Sequence, residues 1–108
     1  MKRSILLAAA FAVAGLGSIP AADAATWRAT HPRRAEVNAR LANQDRRIHQ
    51  ERREGEITAA QAHDLHMEDR GIRAQERYDA SLHNGHITHA EQATLNHEEN
   101  QVSHQIGR

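Results

Sequence analysis

The sequence predicts an all-α fold of three to four amphipathic helices, built from a duplicated helix-turn-helix unit of about 30 residues. Apolar side chains recur four and seven positions apart, which is the spacing of one helix face. The phrase EGEITAAQAHDL at residues 54–65 returns as NGHITHAEQATL at residues 84–95. Each copy contains a threonine-based helix start, so we expect each to form a turn between two helices.

The first 24 residues are predicted to be a secretory signal peptide rather than part of the fold. Lys2 and Arg3 precede an apolar run over residues 5–17, and the small-residue segment Ala22 to Ala24 follows. The run is too short to cross a bilayer, and no Cys follows it that could carry a lipid. We therefore expect cleavage after Ala24, a periplasmic or secreted mature protein, and no stable membrane insertion.

The mature chain is predicted to comprise a flexible N-terminal lead, residues 25–32, and a helical domain, residues 33–108. It contains no Cys, so no disulfide can stabilise it although it is exported. Its basic residues are all Arg and alternate with acidic ones, so no basic patch indicates nucleic-acid binding. Only eleven Val, Ile, Leu and Phe side chains are available for its core, which is few for a lone monomer. We therefore expect a homo-oligomer or a client protein as partner.

The first helix is predicted to begin at Pro32 and to end near Arg53. Proline is tolerated in a first turn, where its missing N–H has no helical partner. Val37, Leu41 and Ile48 then fall within one narrow stripe among Arg, Glu, Gln, Asn and Ala. The stripe predicts one buried face.

The repeated phrase explains where the next two helices begin. Thr58 with Gln61, and Thr88 with Glu91, have the three-residue spacing of a capping box. In such a box the threonine hydroxyl and the longer side chain each accept a hydrogen bond from a backbone N–H at the helix start. We therefore predict helix N-termini at these two threonines.

The residues before each threonine predict how the preceding helix ends. Gly55 and Gly85 stand where a left-handed backbone is needed to close a helix. Ile57 and Ile87 stand directly before the caps, where an apolar side chain can fix the turn. Each phrase is therefore predicted to be a helix end, a tight turn and a helix start.

The second helix presents two apolar pairs in different directions. Leu65 and Ile72 share a face, whereas Tyr78 and Leu82 lie about 100° or more away from it. Gly71 stands between the pairs and disfavours a helix by about 1 kcal/mol. The helix, predicted over about 59–83, therefore either breaks near Gly71 or packs against two partners.

The third helix is predicted over about 89–105. Leu95, Val102 and Ile106 form a single narrow stripe along it. The register of the repeat continues here, since Ile72 and Val102 are matching positions. We interpret the match as a duplication in which the apolar faces of the two units bury each other.

Two motif resemblances follow from these turns. The phrase Gly-x-Ile-Thr-x-x-Glu at 85–91 resembles the second half of an EF-hand calcium loop, which implies that this segment turns in the same way. Ala80 and Leu82 stand where such a loop has calcium ligands, so the resemblance does not extend to the ligands. The phrases at 57–61 and 87–91 are similar to the LTxxQ motif of periplasmic helical stress proteins. That family includes an ATP-independent chaperone and metal-responsive zinc and nickel proteins, which implies an envelope-stress or chaperone-like role.

The whole mature chain also resembles small secreted helical proteobacterial proteins of unassigned function. In those proteins an opening of the type HPRRAEVNARLANQDRRI precedes repeated G-x-I-T-x-x-[EQ] turns. This resemblance implies a compartment and a helical fold rather than a reaction.

The chain carries nine His, and several are spaced so that they could bind a metal. Neutral imidazole binds zinc, copper and nickel, and residues three apart on a helix share a side. The candidate ligands form two clusters: His63 and His66 on the second helix, and His83, His86, His89 and Glu91 around the second turn. The alternative is that these histidines are ordinary surface residues.

The sequence predicts no enzyme, because it has no phosphate-binding loop, zinc-protease helix or nucleophile motif. We expect a small exported non-catalytic helical protein with a binding or structural role and no cofactor. The alternative function is binding or buffering of a divalent transition metal, Zn, Cu or Ni, through clustered His. A further alternative is a response to acid, since the histidines gain charge near neutral pH.

Overall fold

The structure is a computed structural model that describes residues 21–107, so the predicted signal peptide lies almost wholly outside the described residues. Its elements are four helices: α1 (Ala21–Thr30), α2 (Pro32–Arg53), α3 (Ala59–Ser81) and α4 (His89–Ile106). No strand occurs in this part of the chain, and the prediction of an all-α fold is confirmed. The chain divides into one unit that ends at Thr30 and one that begins at His31.

Helix α1 covers most of the stretch for which the sequence predicts a flexible lead. Its sequence, AADAATWRAT, is half alanine, the residue with the highest helix propensity. Asp23 in the first turn and Arg28 in the last turn complement the helix dipole. Residues 25–30, part of the stretch predicted as a flexible lead, are therefore helical in the structure.

Helices α2, α3 and α4 form a three-helix bundle in which each packs against both others. Arg34 near the start of α2 reaches Glu76 near the end of α3, so these two helices are antiparallel. Gln105 at the end of α4 reaches Glu68 in the first half of α3, so α4 runs parallel to α2. The core consists of twelve apolar residues: Val37, Leu41, Ile48, Ile57, Ala62, Leu65, Ile72, Ala80, Ile87, Leu95, Val102 and Ile106.

Each helix has one buried face, which we call its seam. The seam is longer than the apolar stripe seen in the sequence, because polar side chains occupy some of its positions. The seams, spaced alternately three and four residues, are Val37, Leu41, Gln44, Ile48 and Glu51 in α2, Ala62, Leu65, Asp69, Ile72, Glu76 and Asp79 in α3, and Leu95, Glu99, Val102 and Ile106 in α4. This is a heptad pattern in which about half of the buried positions are polar. Asp69 and Glu99 lie at matching positions of the repeat that the sequence predicts.

Both predicted capping boxes are present. The backbone N–H of Gln61 donates to the Thr58 hydroxyl over 3.0 Å, and the Thr58 N–H donates to the Gln61 side chain over 2.8 Å. Thr88 and Glu91 repeat both bonds at the same distances. Ile87, directly before the second cap, is buried in the core.

Both turns close the preceding helix with the same kind of hydrogen bond. Gly55 has a φ of 77°, and the N–H of Glu56 donates to the carbonyl of Glu51 over 2.9 Å, as in a Schellman motif. In the second turn the N–H of Gly85 likewise donates to the carbonyl five residues earlier, that of Ala80, over 2.8 Å. Here Asn84 also takes a positive φ, 56°, followed by Gly85 at 91°. Helix α3 therefore ends at Ser81, two residues before the predicted end, and the turn is longer.

Helix α3 is continuous through Gly71, so a break there, one of the two alternatives from the sequence, does not occur. A Cβ built on Gly71 would meet no heavy atom within 4 Å, because the position faces outward. Tyr78 and Leu82, the second apolar pair, are exposed rather than packed against α2 or α4.

Replacing Thr58 with alanine is expected to lower the free energy of unfolding by about 1 kcal/mol, because the Gln61 N–H at the start of α3 loses the hydroxyl that accepts its hydrogen bond. Thr58→Ser keeps the hydroxyl and serves as the control, with a loss of a few tenths of a kcal/mol. Urea unfolding followed by circular dichroism measures both. Equal stability of the alanine variant and the wild type would show that the box does not stabilise the fold.

Candidate functional site

A cleft of about 260 Å³ lies beside the seam between α2 and α3. We call it the α2–α3 cleft. It is lined by Asp45, His49, His66, Asp69, Arg70 and Arg73. Carboxylates, imidazoles and guanidinium groups therefore share one small concave surface.

Helix geometry explains why these side chains meet. Asp45 and His49 are four residues apart on α2, so they project from the same side, directly next to the seam positions Gln44 and Ile48. His66 and Asp69 are three residues apart on α3 and face them. The antiparallel packing of the two helices brings the pairs together.

Two contacts cross the cleft. His66 Nδ1 lies 3.1 Å from Asp45 Oδ1, within hydrogen-bonding distance. The rings of His49 and His66 are 4.8 Å apart between centroids and tilted by 47°. His66 therefore lies between a carboxylate and a second imidazole, both from α2.

Asp69 is the most unusual group in the cleft. It is 5% exposed, and neither carboxylate oxygen has a hydrogen-bond partner. Burial raises the pKa of Asp69 to about 7, the Asp45 charge adds to the rise, and Arg73 opposes it. At neutral pH Asp69 is therefore divided between its protonated and ionised forms, because the Arg73 charge offsets only part of the effect of burial.

The predicted cluster at the second turn is only partly assembled. His83 Nε2 lies 3.2 Å from Glu91 Oε2. The capping bond from the Thr88 backbone lowers the pKa of Glu91, with His83 contributing, so this carboxylate already serves the helix start.

The other histidines of that cluster lie elsewhere. His86 stacks on His31 with ring centroids 4.6 Å apart and planes 9° from parallel. His89 is exposed in the first turn of α4. On α3, His63 is also exposed, with 74% of its side chain accessible, beside Asp64 at 3.5 Å. Of the predicted candidates, only His66 lies in the α2–α3 cleft.

Sequence reasoning missed Asp45, His49 and Asp69. Asp45 and His49 have helical spacing but lie outside the apolar stripe, so the sequence does not show which helix they face. Asp69 has the same place in its unit as Glu99, and that match is visible in the sequence. Within residues 21–107, no three His or acidic side chains already stand close enough around one point to hold a metal.

Buried acids also occur away from the cleft. Glu76 forms an ion pair with Arg34, whose guanidinium also donates to the Gly85 carbonyl over 3.2 Å. Glu99 is fully buried, with Arg40 Nε 3.6 Å from one of its oxygens. Burial raises the pKa of Glu99 to about 8, and the Arg40 charge opposes the rise.

No protein-family model, curated protein or solved structure matches the chain. The resemblances to LTxxQ stress proteins, to EF-hand loops and to small secreted proteobacterial proteins therefore stay predictions. Across residues 21–107, no helix is both long and apolar enough to cross a membrane.

Proposed function

We propose that the chain is an exported, non-catalytic helical binding protein of the periplasm that associates with a second copy of itself through the outward side of α3. The observation that carries the proposal is an apolar strip left exposed by a bundle whose own seams are already packed. Export is supported by the basic start, apolar run and small-residue exit of residues 1–24.

The strip, which we call the α3 outer face, consists of Met67, Gly71, Ala74, Tyr78 and Leu82. Met67 is 48% exposed, Tyr78 60% and Leu82 56%. The spacing of four, three, four and four residues gives a second seam on the side of α3 opposite the core. Gly71 at its middle allows another helix to approach closely.

Charge on the two edges of this face favours a second copy as the partner. Arg70 and Arg77 lie along one edge, and Asp64 and Glu68 lie along the other. When two α3 helices pair in parallel about a twofold axis, the basic edge of each lies on the same side as the acidic edge of the other, with Arg70 and Glu68 at similar heights and Arg77 beyond the acidic residues. Antiparallel pairing would place the two basic edges together. The face is therefore complementary to itself in one orientation.

The molar mass of the chain is expected to rise with concentration from that of a monomer toward that of a dimer, in sedimentation equilibrium at low salt. Tyr78→Asp is expected to weaken association at least tenfold, because it places a charge in the middle of the seam. Gln101→Asp adds the same charge to an exposed position on α4 and is the matched control. Reversing the acidic edge with Asp64→Arg and Glu68→Arg should also weaken association.

A mass that stays monomeric at all concentrations would overturn the proposal of a second copy. If the monomer suppresses the aggregation of an unfolded client and Tyr78→Asp removes that effect, the α3 outer face binds clients instead. If the protein neither forms a dimer nor suppresses client aggregation through this face, the α3 outer face has no role in its function.

A further inference from the structure

The α2–α3 cleft is left unexplained by association through α3, because it lies on a different side of that helix. Asp69 points into it with both oxygens unpartnered, although the residue is nineteen-twentieths buried. A buried acid without hydrogen bonds destabilises the fold, and a bound cation removes that cost. The matching Glu99 also has both carboxylate oxygens without a hydrogen bond, but Arg40 Nε lies 3.6 Å from it, whereas no cationic side chain of residues 21–107 forms an ion pair that close to Asp69.

We propose that the α2–α3 cleft binds one divalent transition-metal ion, of the zinc type, through Asp45, His49, His66 and Asp69. Two imidazoles and two carboxylates give the ligand number of a closed tetrahedral site and the ligand types that zinc and nickel accept. The site uses two residues from each of two helices, so the metal would link α2 to α3.

Three of the four groups already lie next to one another, and Asp69 lines the same cleft. His66 and Asp45 are already 3.1 Å apart, and the two rings are 4.8 Å apart. His49 is exposed on its helix, so its ring can turn toward the cleft without displacing core side chains. A metal between the groups would replace the contact of His66 with Asp45 by bonds to the ion.

Two cations border the cleft and set the strength of binding. Arg73 lies close enough to Asp69 to stabilise its ionised form, and Arg70 also lines the opening. Neither guanidinium can ligate a metal. A bound metal ion would replace Arg73 as the positive charge beside Asp69. Because the two positive charges repel each other, Arg73 must move outward into the solvent, which it already partly contacts.

Binding at this site must release protons. Asp69 binds a metal only when ionised, and the imidazoles only when neutral. Affinity is therefore expected to fall at least tenfold when the pH is lowered from about 7.5 to about 5.5, because protons compete with the metal for the same ligand atoms. The number of protons released identifies ligands that are protonated in the free protein.

The test is calorimetric titration of the full exported chain with ZnCl₂ and NiCl₂ in two buffers of different ionisation enthalpy. One equivalent of metal should bind with proton release. Asp69→Asn and His66→Ala should each weaken binding about 10–100-fold or more. Asp69→Asn removes a buried charge and keeps the side-chain size, so the bundle should stay folded, which circular dichroism checks.

Two matched controls separate this site from the rest of the molecule. Glu98→Gln removes an acid from α4 that does not line the cleft and should leave metal affinity unchanged. A variant with His83, His86 and His89 all replaced by alanine should also bind normally. Unchanged binding by Asp69→Asn and His66→Ala would overturn the proposal, as would loss of binding in the triple variant alone or no binding by the wild type.

Discussion

Replacing Arg34 with alanine is expected to lower the free energy of unfolding by about 3–5 kcal/mol. Glu76, its partner, is almost fully buried in the seam of α3. Without the guanidinium, this carboxylate would stay in the bundle with its charge uncompensated. Arg34 also donates to the carbonyl of Gly85, so the variant loses a link between α2 and the second turn.

Arg33→Ala is the matched control, because it removes the same side chain from an exposed neighbouring position. Within residues 21–107 its one long-range bond is a 3.4 Å contact with the Ile87 carbonyl, and the expected change is within about 0.5 kcal/mol. Chemical denaturation at neutral pH measures both variants. A loss for Arg34→Ala no larger than for Arg33→Ala would show that the pair does not hold the bundle.

A double variant shows which interaction accounts for the loss of stability in Arg34→Ala. Arg34→Met with Glu76→Leu replaces the ion pair with apolar side chains of similar size and should regain most of the lost stability. The reason is that the cost of the single change comes from the unpaired charge rather than from the absence of attraction. A double variant as unstable as Arg34→Ala would instead assign the loss to packing and to the Gly85 contact.

Glu99→Gln is expected to raise the free energy of unfolding at about pH 9 by on the order of 3 kcal/mol, and to change it little at about pH 5. Glu99 is fully buried, and its pKa is raised to about 8. Arg40 and Glu36 face it from α2, Asp69 from α3, and Glu98 from its own helix; only Arg40 favours its ionised form. Glutamine keeps the shape and has no proton to lose.

The sign of the pH dependence follows from these raised pKa values. In the unfolded chain the carboxyl of Glu99 ionises near pH 4.5, whereas in the fold it holds its proton to about pH 8. Between these values the folded state binds more protons, so stability falls as the pH rises. Asp69 contributes the same sign up to about pH 7. The lowered pKa of Glu91 has the opposite effect on stability: its contribution is lost as the pH falls below the ordinary pKa of a glutamate.

Thermal unfolding at a series of pH values distinguishes this account from a general charge effect. The wild type should lose stability from about pH 5 to pH 9, and Glu99→Gln should lose less. Glu98→Gln removes the same charge from the neighbouring, partly exposed position and should leave the slope unchanged. Equal slopes for wild type and Glu99→Gln would contradict the raised pKa.

The sequence by itself determined the features that local chemistry controls. The start of α2 at Pro32, both capping boxes and the left-handed glycines in the two turns follow from residues within a few positions of one another. The apolar stripes identified the cores of α2, α3 and α4 because a side chain that repeats with helical spacing faces one direction.

Only the tertiary structure decided which polar side chains are buried and which histidines meet. Asp69, Glu76 and Glu99 have the spacing of seam positions, but a search for apolar residues passes over them. His66 contacts Asp45 of α2 and does not form a pair with His63 of its own helix. The register between α2 and α3 brings these residues from different helices together. That register results from packing and is absent from the pattern of either helix alone, so the candidate metal site became visible only once the helices were paired.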